Sequence, residues 1–227
     1  MLRKNFGKAL KEIITWNYTD SESGDEFVNR VVRCLQKTLG VAVRQGSPEI
    51  NDEIPIGTTI FVNPYGSQNS PDVAVISLEK PMKITKKRTG WIPNVSLTME
   101  VKRSQTGKAM WNSGFPVQKR IYLLNTKSHL PDKSPINGTT IVMGSDLVSE
   151  KDEQKVIKLK GTLKQIKEQW ATIGSFKLEH LRPMFSQDKS GGDWLVHKDR
   201  VKREKNVLKF VEGTQKKKEV KGNSSHN

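Results

Sequence analysis

The chain has 227 residues, 34% of them hydrophobic, a formal net charge of +15 and one cysteine, Cys34. That length supports one substantial domain with its own core. A single cysteine excludes a disulfide framework or a cysteine-built zinc site within one chain, and no apolar stretch is long enough for a membrane helix. The charge points to a polyanionic partner, nucleic acid above all, although 24 acidic residues keep the surface mixed. There is no signal-peptide pattern, and Cys34 falls in the apolar pattern of a helix as a buried thiol does, so a reducing, cytoplasmic location without membrane contact is expected.

Ala9, Leu10, Ile13 and Ile14 recur at helical spacing and predict a short first helix, interrupted by the polar segment 17–24. A second helix begins at Ser23 or Asp25, presents Phe27, Val28, Val31, Val32 and Leu35 on one face, and ends near Gly40. Residues 45–57 read as a loop. β character follows: Thr59 to Val62, a turn-rich connector from Asn63 to Ser70, then Pro71-Asp72 opening the run Val73 to Leu78. A basic stretch, 80–88, and a turn within 90–94 lead to a third strand, Val95 to Arg103. Further strands are expected at Arg120 to Leu124 and Thr139 to Met143, bracketing a loop from 128 to 138. Val156, Leu159, Leu163, Ile166 and Trp170 predict a helix over 153–171 that covers a face of the sheet. Trp194-Leu195-Val196 and Val207 to Val211 are apolar fragments, and residues 213–227 read as a basic, disordered tail beyond a single domain, 1–212.

The chemistry concentrates at Asp72 and at Glu100-Val101-Lys102. Strand periodicity puts Glu100 and Lys102 on one face and Val101 on the other, and two charged groups on one face of an apolar strand need a partner or a role. Asp72 and Glu100, with the Val101 carbonyl, offer the hard oxygen ligands that magnesium prefers, with manganese as a substitute. Lys102 is placed to hold an attacking water or to stabilise a pentacovalent phosphate. A phosphodiester, whose charge repels nucleophiles, needs such help.

This arrangement resembles the PD-(D/E)XK nuclease superfamily and, within it, the type II restriction endonucleases. Two flanking stretches are similar to members of that group: Gly66-Ser67-Gln68-Asn69-Ser70-Pro71-Asp72-Val73 and the loop from Gly107 to Pro116. The resemblance covers about 26–125. It implies an α/β fold with a restriction-endonuclease-like core, a mixed central β-sheet flanked by helices; magnesium-dependent, sequence-specific hydrolysis of double-stranded DNA; and a homodimer, since a two-fold symmetric site is cut by two symmetric subunits. It implies catalytic roles for Asp72, Glu100 and Lys102. It assigns Glu26, more loosely, to the helix glutamate that completes the metal environment through water; the alternative for Glu26 is an acid favoured at a helix start by the macrodipole.

Base readout falls to the loop from Ser104 to Gln118, where Gln105, Asn112, Gln118 and the nearby Ser113 can reach base edges, while Arg103, Lys108, Lys119 and Arg120 pair with phosphates or guanines. Trp111 either stacks on DNA or sits in the core. Lys86, Lys87 and Arg88 track the backbone, and Gln68 orients water, ligand or DNA, or serves a turn. The scattered histidines match neither a zinc-protease pattern nor a ββα-metal nuclease. Two rival readings stay open: a noncatalytic DNA- or RNA-binding protein, and another nuclease of the same superfamily, such as a repair nickase, homing enzyme or junction resolvase.

Overall fold

The computed structural model describes residues 2–66, 71–85, 91–93, 96–106, 110–111, 115–128, 136–173, 176–178, 185–186 and 193–213. In chain order these form α1 (Leu2–Ile13), α2 (Gly24–Leu39), β1 (Ala42–Gln45), β2 (Glu53–Ile54), β3 (Gly57–Val62), β4 (Val73–Leu78), β5 (Met82–Lys83), β6 (Leu97–Ser104), β7 (Met110–Trp111), β8 (Ile121–Ser128), β9 (Ile136–Met143), α3 (Gly144–Leu147), α4 (Glu150–Gln169), β10 (Thr172–Ile173), β11 (Phe176–Lys177), β12 (Phe185–Ser186) and α5 (Arg200–Glu212).

The α2 boundaries follow from local chemistry. Ser23 Oγ accepts a hydrogen bond from the Glu26 amide while the Ser23 amide donates to Glu26 Oε2, a reciprocal capping box. At the other end Gly40, at φ 65°, adopts the left-handed conformation and its amide donates to the Gln36 carbonyl. Between the caps, Phe27, Val31 and Leu35 recur every fourth residue and are fully buried.

Six strands form one mixed sheet in the order β1-β3-β4-β6-β8-β9. β1 runs parallel to β3 and β6 parallel to β8, while β3–β4, β4–β6 and β8–β9 are antiparallel. Helices α1, α2 and α5 cover one face, where Val62, Val73, Val75, Met99, Val101, Ile121 and Leu123 meet Phe6, Leu10, Phe27, Leu35, Val207 and Val211. The opposite face carries two smaller clusters. Phe61, Ala74 and Ile76 pack with Ile54, Ile84 and Trp91 on one side, and Tyr122, Leu124 and Val142 pack with Trp194 on the other. Glu100 and Lys102, alternating with Met99 and Val101, therefore point away from the helices into the space between these clusters.

Two expectations change. α4 forms, but of its 20 residues only Val156 is buried, and Ile157, Leu159, Ile166 and Trp170 are exposed, so it does not cover the sheet. That role falls to α5, read in the sequence as a mere apolar fragment, whose Val207 and Val211 are spaced to seal the core beside α1 and β9. The strands at 121–128 and 136–143 are also longer than expected, because the polar residues Asn125, Thr126, Ser128, Thr139 and Thr140 that hide the pattern are buried. The 45–57 loop contains β2, which pairs with β5. Residues 214–227 lie outside the described residues. Among the described residues no helix is long and apolar enough to cross a membrane.

Candidate active site

β4 and β6 bring the three predicted residues together. Val73 pairs with Met99, and one step further the same register sets Asp72 opposite Glu100. The Val101 amide donates to Asp72 Oδ2 at 2.7 Å, fixing the aspartate against the strand that carries the other two residues. Lys102 Nζ lies 2.7 Å from Glu100 Oε1. On the far side of the glutamate, Arg120 Nη1 stands 3.6 Å from Glu100 Oε2. Glu100 itself is 3% exposed, a burial that two adjacent cations make tolerable.

The electrostatics of Asp72 follow from this geometry. Burial, and then the neighbouring Glu100 carboxylate, push its pKa up from 3.8 to about 6, against the opposing pull of the Val101 amide, Lys102 and Arg120. Two carboxylates thus compete for two cations. Glu100 Oε2 is buried without a hydrogen-bond partner, and so is Arg120 Nε. In an extended strand a residue's N–H and C=O point to the same side, so the Val101 carbonyl is directed along the edge that Asp72 occupies.

Arg120, expected at a phosphate or guanine, is held in this cluster by a tight turn. The Tyr122 hydroxyl accepts from the Val117 amide at 2.7 Å, the Arg120 amide donates to the Val117 carbonyl, and the Gly144 amide donates to the Arg120 carbonyl. Gly144 admits no side chain: a Cβ there would come within 1.8 Å of the Val117 oxygen. Burial pushes the Tyr122 phenol up to about 12, so it serves this turn as a neutral hydroxyl.

Comparison with family models, with curated proteins and with solved structures finds no match to this chain. The site stands on its own geometry.

Beside Asp72 lies a cleft of about 400 Å³ lined by Asp25, Val28, Asn29, Gln45, Val62, Asn63 and Asp72. Glu26 is absent from that lining. Its exposed carboxylate closes the capping box, and the Ser23 backbone and side-chain bonds hold its pKa below the usual carboxylate value, with a smaller pull from Arg103. The helix-start reading of Glu26 accounts for it, and the α2 acid that lines the cleft beside Asp72 is Asp25, one position earlier. Asn29 follows one turn later. Asn63 turns the chain out of β3 at φ 50°, a left-handed conformation that asparagine tolerates, and its amide donates to the Asp72 carbonyl at 2.7 Å. The sequence signal for this group was the i, i+4 spacing of Asp25 and Asn29 beside the apolar stripe of α2.

Arg103 needs correction as a DNA contact. Its guanidinium sits 4.3 Å over the Tyr18 ring, donates to the Thr19 carbonyl at 2.6 Å and to Asn125 Oδ1 at 2.9 Å, and is 9% exposed. Ser104 bonds with Thr106 in a local turn. Gln105 and Lys119 are exposed and Gln118 is half-buried. Gln68, Lys86, Lys87, Arg88, Lys108, Asn112 and Ser113 lie outside the described residues, and Trp111 enters only through the pairing of β7 with β12. Cys34 is buried, with its thiol pushed up to about 11 chiefly by desolvation, as an inert core residue should be.

Proposed function

We propose that this chain is a magnesium-dependent endonuclease of the restriction type, hydrolysing phosphodiester bonds of double-stranded DNA at the Asp72, Glu100 and Lys102 cluster. The observation that carries the reading is the join between strands: Asp72 is bonded to the amide at the centre of the Glu100-Val101-Lys102 triplet, so two carboxylates and an ammonium meet where the central strands β4 and β6 adjoin.

The donor set fits a hard dication. Among the described residues no group of three or more His, Cys, Asp or Glu side chains gathers, but magnesium commonly uses one or two carboxylates and keeps several waters. The buried Oε2 of Glu100, which has the Arg120 ion pair but no hydrogen bond, and the repulsion that raises Asp72 are what such an ion would relieve. Asp72 and Glu100 would hold it, with the Val101 carbonyl and the amide-rich cleft of Asp25, Asn29, Gln45 and Asn63 at its border. When bound, the ion neutralises phosphate charge and lowers the pKa of its water. Lys102 holds the attacking water in line and stabilises charge on the non-bridging phosphate oxygens. Arg120 supplies a second cation for the same charge. The new bond joins water oxygen to phosphorus as that water gives up a proton to solvent, the ester P–O bond breaks, and its oxygen leaves as a hydroxyl after taking up a proton from solvent.

The test is a magnesium titration on supercoiled plasmid and mapped linear DNA. Discrete fragments are expected, with manganese substituting, and Asp72→Ala, Glu100→Ala and Lys102→Ala should each abolish cleavage, the first and third retaining DNA binding. Full magnesium-dependent cleavage by any of the three would reject the assignment. The rival reading, nucleic-acid binding without cleavage, draws on the net charge of +15 and on the mutual cancellation of two carboxylates by two cations at the cluster. It predicts DNA binding that weakens with salt and no strand scission at any magnesium concentration. Nicked circles without linear product would favour a repair-type nuclease.

A further inference from the structure

α1 has two distinct faces. Phe6, Ala9, Leu10 and Ile13 are buried in the core with α2 and α5, while Lys4, Lys8 and Lys11 are exposed and fall within about 60° of one another around the helix. These three lysines, with Asn5 and with Glu212 at the end of α5, line a cleft of about 690 Å³, a size common for ligand sites. Gly7 sets one wall of it. A Cβ there would stand 2.8 Å from Glu212 Oε1, so glycine lets that carboxylate lie against α1, where it accepts from Lys11 Nζ at 2.9 Å. Glu12, the one acid of α1, turns the other way, toward the Cys34 thiol on α2. Among the described residues Lys4 and Lys8 have no ion pair, so the cleft sets three ammonium groups against one carboxylate. The chain leaves α5 at Gly213, beside the Arg3 side chain. Residues 214–227 then carry Lys216, Lys217, Lys218 and Lys221 against a single acid, Glu219. Three residues span at most about 11 Å, so Lys216 stays within that reach of Gly213 whatever its backbone conformation. Gathering so much like charge costs self-repulsion, which a polyanion relieves.

We propose that the α1 cleft binds the phosphate backbone of a nucleic-acid strand, at a second site separate from the Asp72, Glu100 and Lys102 cluster. Glu100 and Lys102 point away from the helical layer, and the lysines of α1 lie on the outer side of that layer, so the two surfaces look in opposite directions. Spacing favours a strand over a single small anion. From Lys4 to Lys11 the helix rises about 10 Å, which matches three phosphate steps of about 3.4 Å along one strand. A lipid surface fits less well, because Phe6, Ala9, Leu10 and Ile13 are all buried and leave nothing to insert. Lysine contacts to phosphate position a strand without reading its sequence. One chain therefore holds two nucleic-acid segments when the opposite surface is also occupied. The inference uses α1, α5 and their charges and does not rest on the nuclease reading.

Calorimetric titration of the full chain with a duplex of about 12 base pairs, in EDTA at about 50 mM salt, tests it. The triple variant Lys4→Gln, Lys8→Gln, Lys11→Gln should bind one duplex fewer per chain than the parent, with its helical circular dichroism retained. The corresponding triple exchange to arginine, which keeps the charge, should bind as the parent does. Affinity at this site should fall with salt at a log–log slope of about −2.7, roughly fortyfold between about 50 and about 200 mM. Glu212→Gln removes the opposing carboxylate and should tighten the same site roughly threefold. An unchanged number of duplexes in the glutamine variant, a salt slope indifferent to the three lysines, or displacement of the duplex by polyglutamate or tripolyphosphate at equal charge would overturn the proposal, whatever the outcome of the cleavage assay.

Discussion

Replacing Asp72 by asparagine should make the metal-free protein more stable while ending its activity. Burial and Glu100 raise this carboxyl from 3.8 to about 6, so the folded state resists its ionisation. Below pH 3.8 the group is protonated folded and unfolded, and ionisation costs nothing. The cost grows as pH rises from 3.8 to about 6 and is complete above it. At ~1.4 kcal/mol per unit the ceiling is ~3 kcal/mol, and because Lys102 and Arg120 are already counted against the repulsion, a gain of about 1–3 kcal/mol is the expected range at pH 8. Asparagine keeps the oxygen that accepts the Val101 amide and discards the charge. Urea unfolding of both proteins at pH 4 and pH 8, without metal, should show midpoints converging at the lower pH and separating at the higher. Magnesium should then offset most or all of that difference, stabilising the native protein by about 2.7 kcal/mol at a hundredfold excess over its Kd and leaving Asp72→Asn unmoved. An asparagine variant less stable than the parent at pH 8, or an equal response of the two proteins to magnesium, would refute the argument that Asp72 is an unrelieved carboxylate awaiting a cation.

Glu26→Ala should lower stability through loss of the reciprocal capping bond without reducing cleavage, whereas Asp25→Asn should leave stability nearly unchanged and raise the magnesium concentration needed for cleavage; chemical denaturation and metal titration separate the two. Arg103→Ala should destabilise by about 2–3 kcal/mol, through the lost bonds to Thr19 and Asn125 and the lost Tyr18 stacking, while DNA affinity measured by filter binding stays within about twofold. Gly144→Ala drives a methyl into the Val117 carbonyl and should cost at least about 2 kcal/mol in thermal unfolding, with cleavage reduced further than stability because the turn that carries Arg120 must shift.

Legibility in this chain tracks how local the determining physics is. α2 could be read to within a residue or two at each end because Ser23, Glu26 and Gly40 act within four positions of themselves. The three central strands could be read because Thr59 to Val62, Val73 to Leu78 and Leu97 to Val101 are apolar runs with turn residues at their edges. β1 could not, since its four residues, Ala-Val-Arg-Gln, are a half-exposed edge that exists only by pairing with β3. Nor could α5, whose three lysines and two arginines interrupt its apolar pattern while two buried valines one turn apart decide its place. α4 shows the converse: its periodicity announces an apolar face and says nothing about what the face meets, so the sheet was assumed. The site divides in the same way. Period two is enough to foresee that Glu100 and Lys102 share a face, while the meeting with Asp72 depends on the β4–β6 register, which the resemblance and not the spacing led one to expect. Arg120 reaches Glu100 only because Tyr122, Val117 and Gly144 fold the connector into β8 back on itself, a set of contacts across three segments that no spacing announces. The same nonlocality separates Glu26 from Asp25. One residue is about 100° of helix, and which of two adjacent acids lines the cleft beside Asp72 is fixed by how Phe27, Val31 and Leu35 seat α2 on the sheet, a rotation decided by the whole core rather than by either carboxylate.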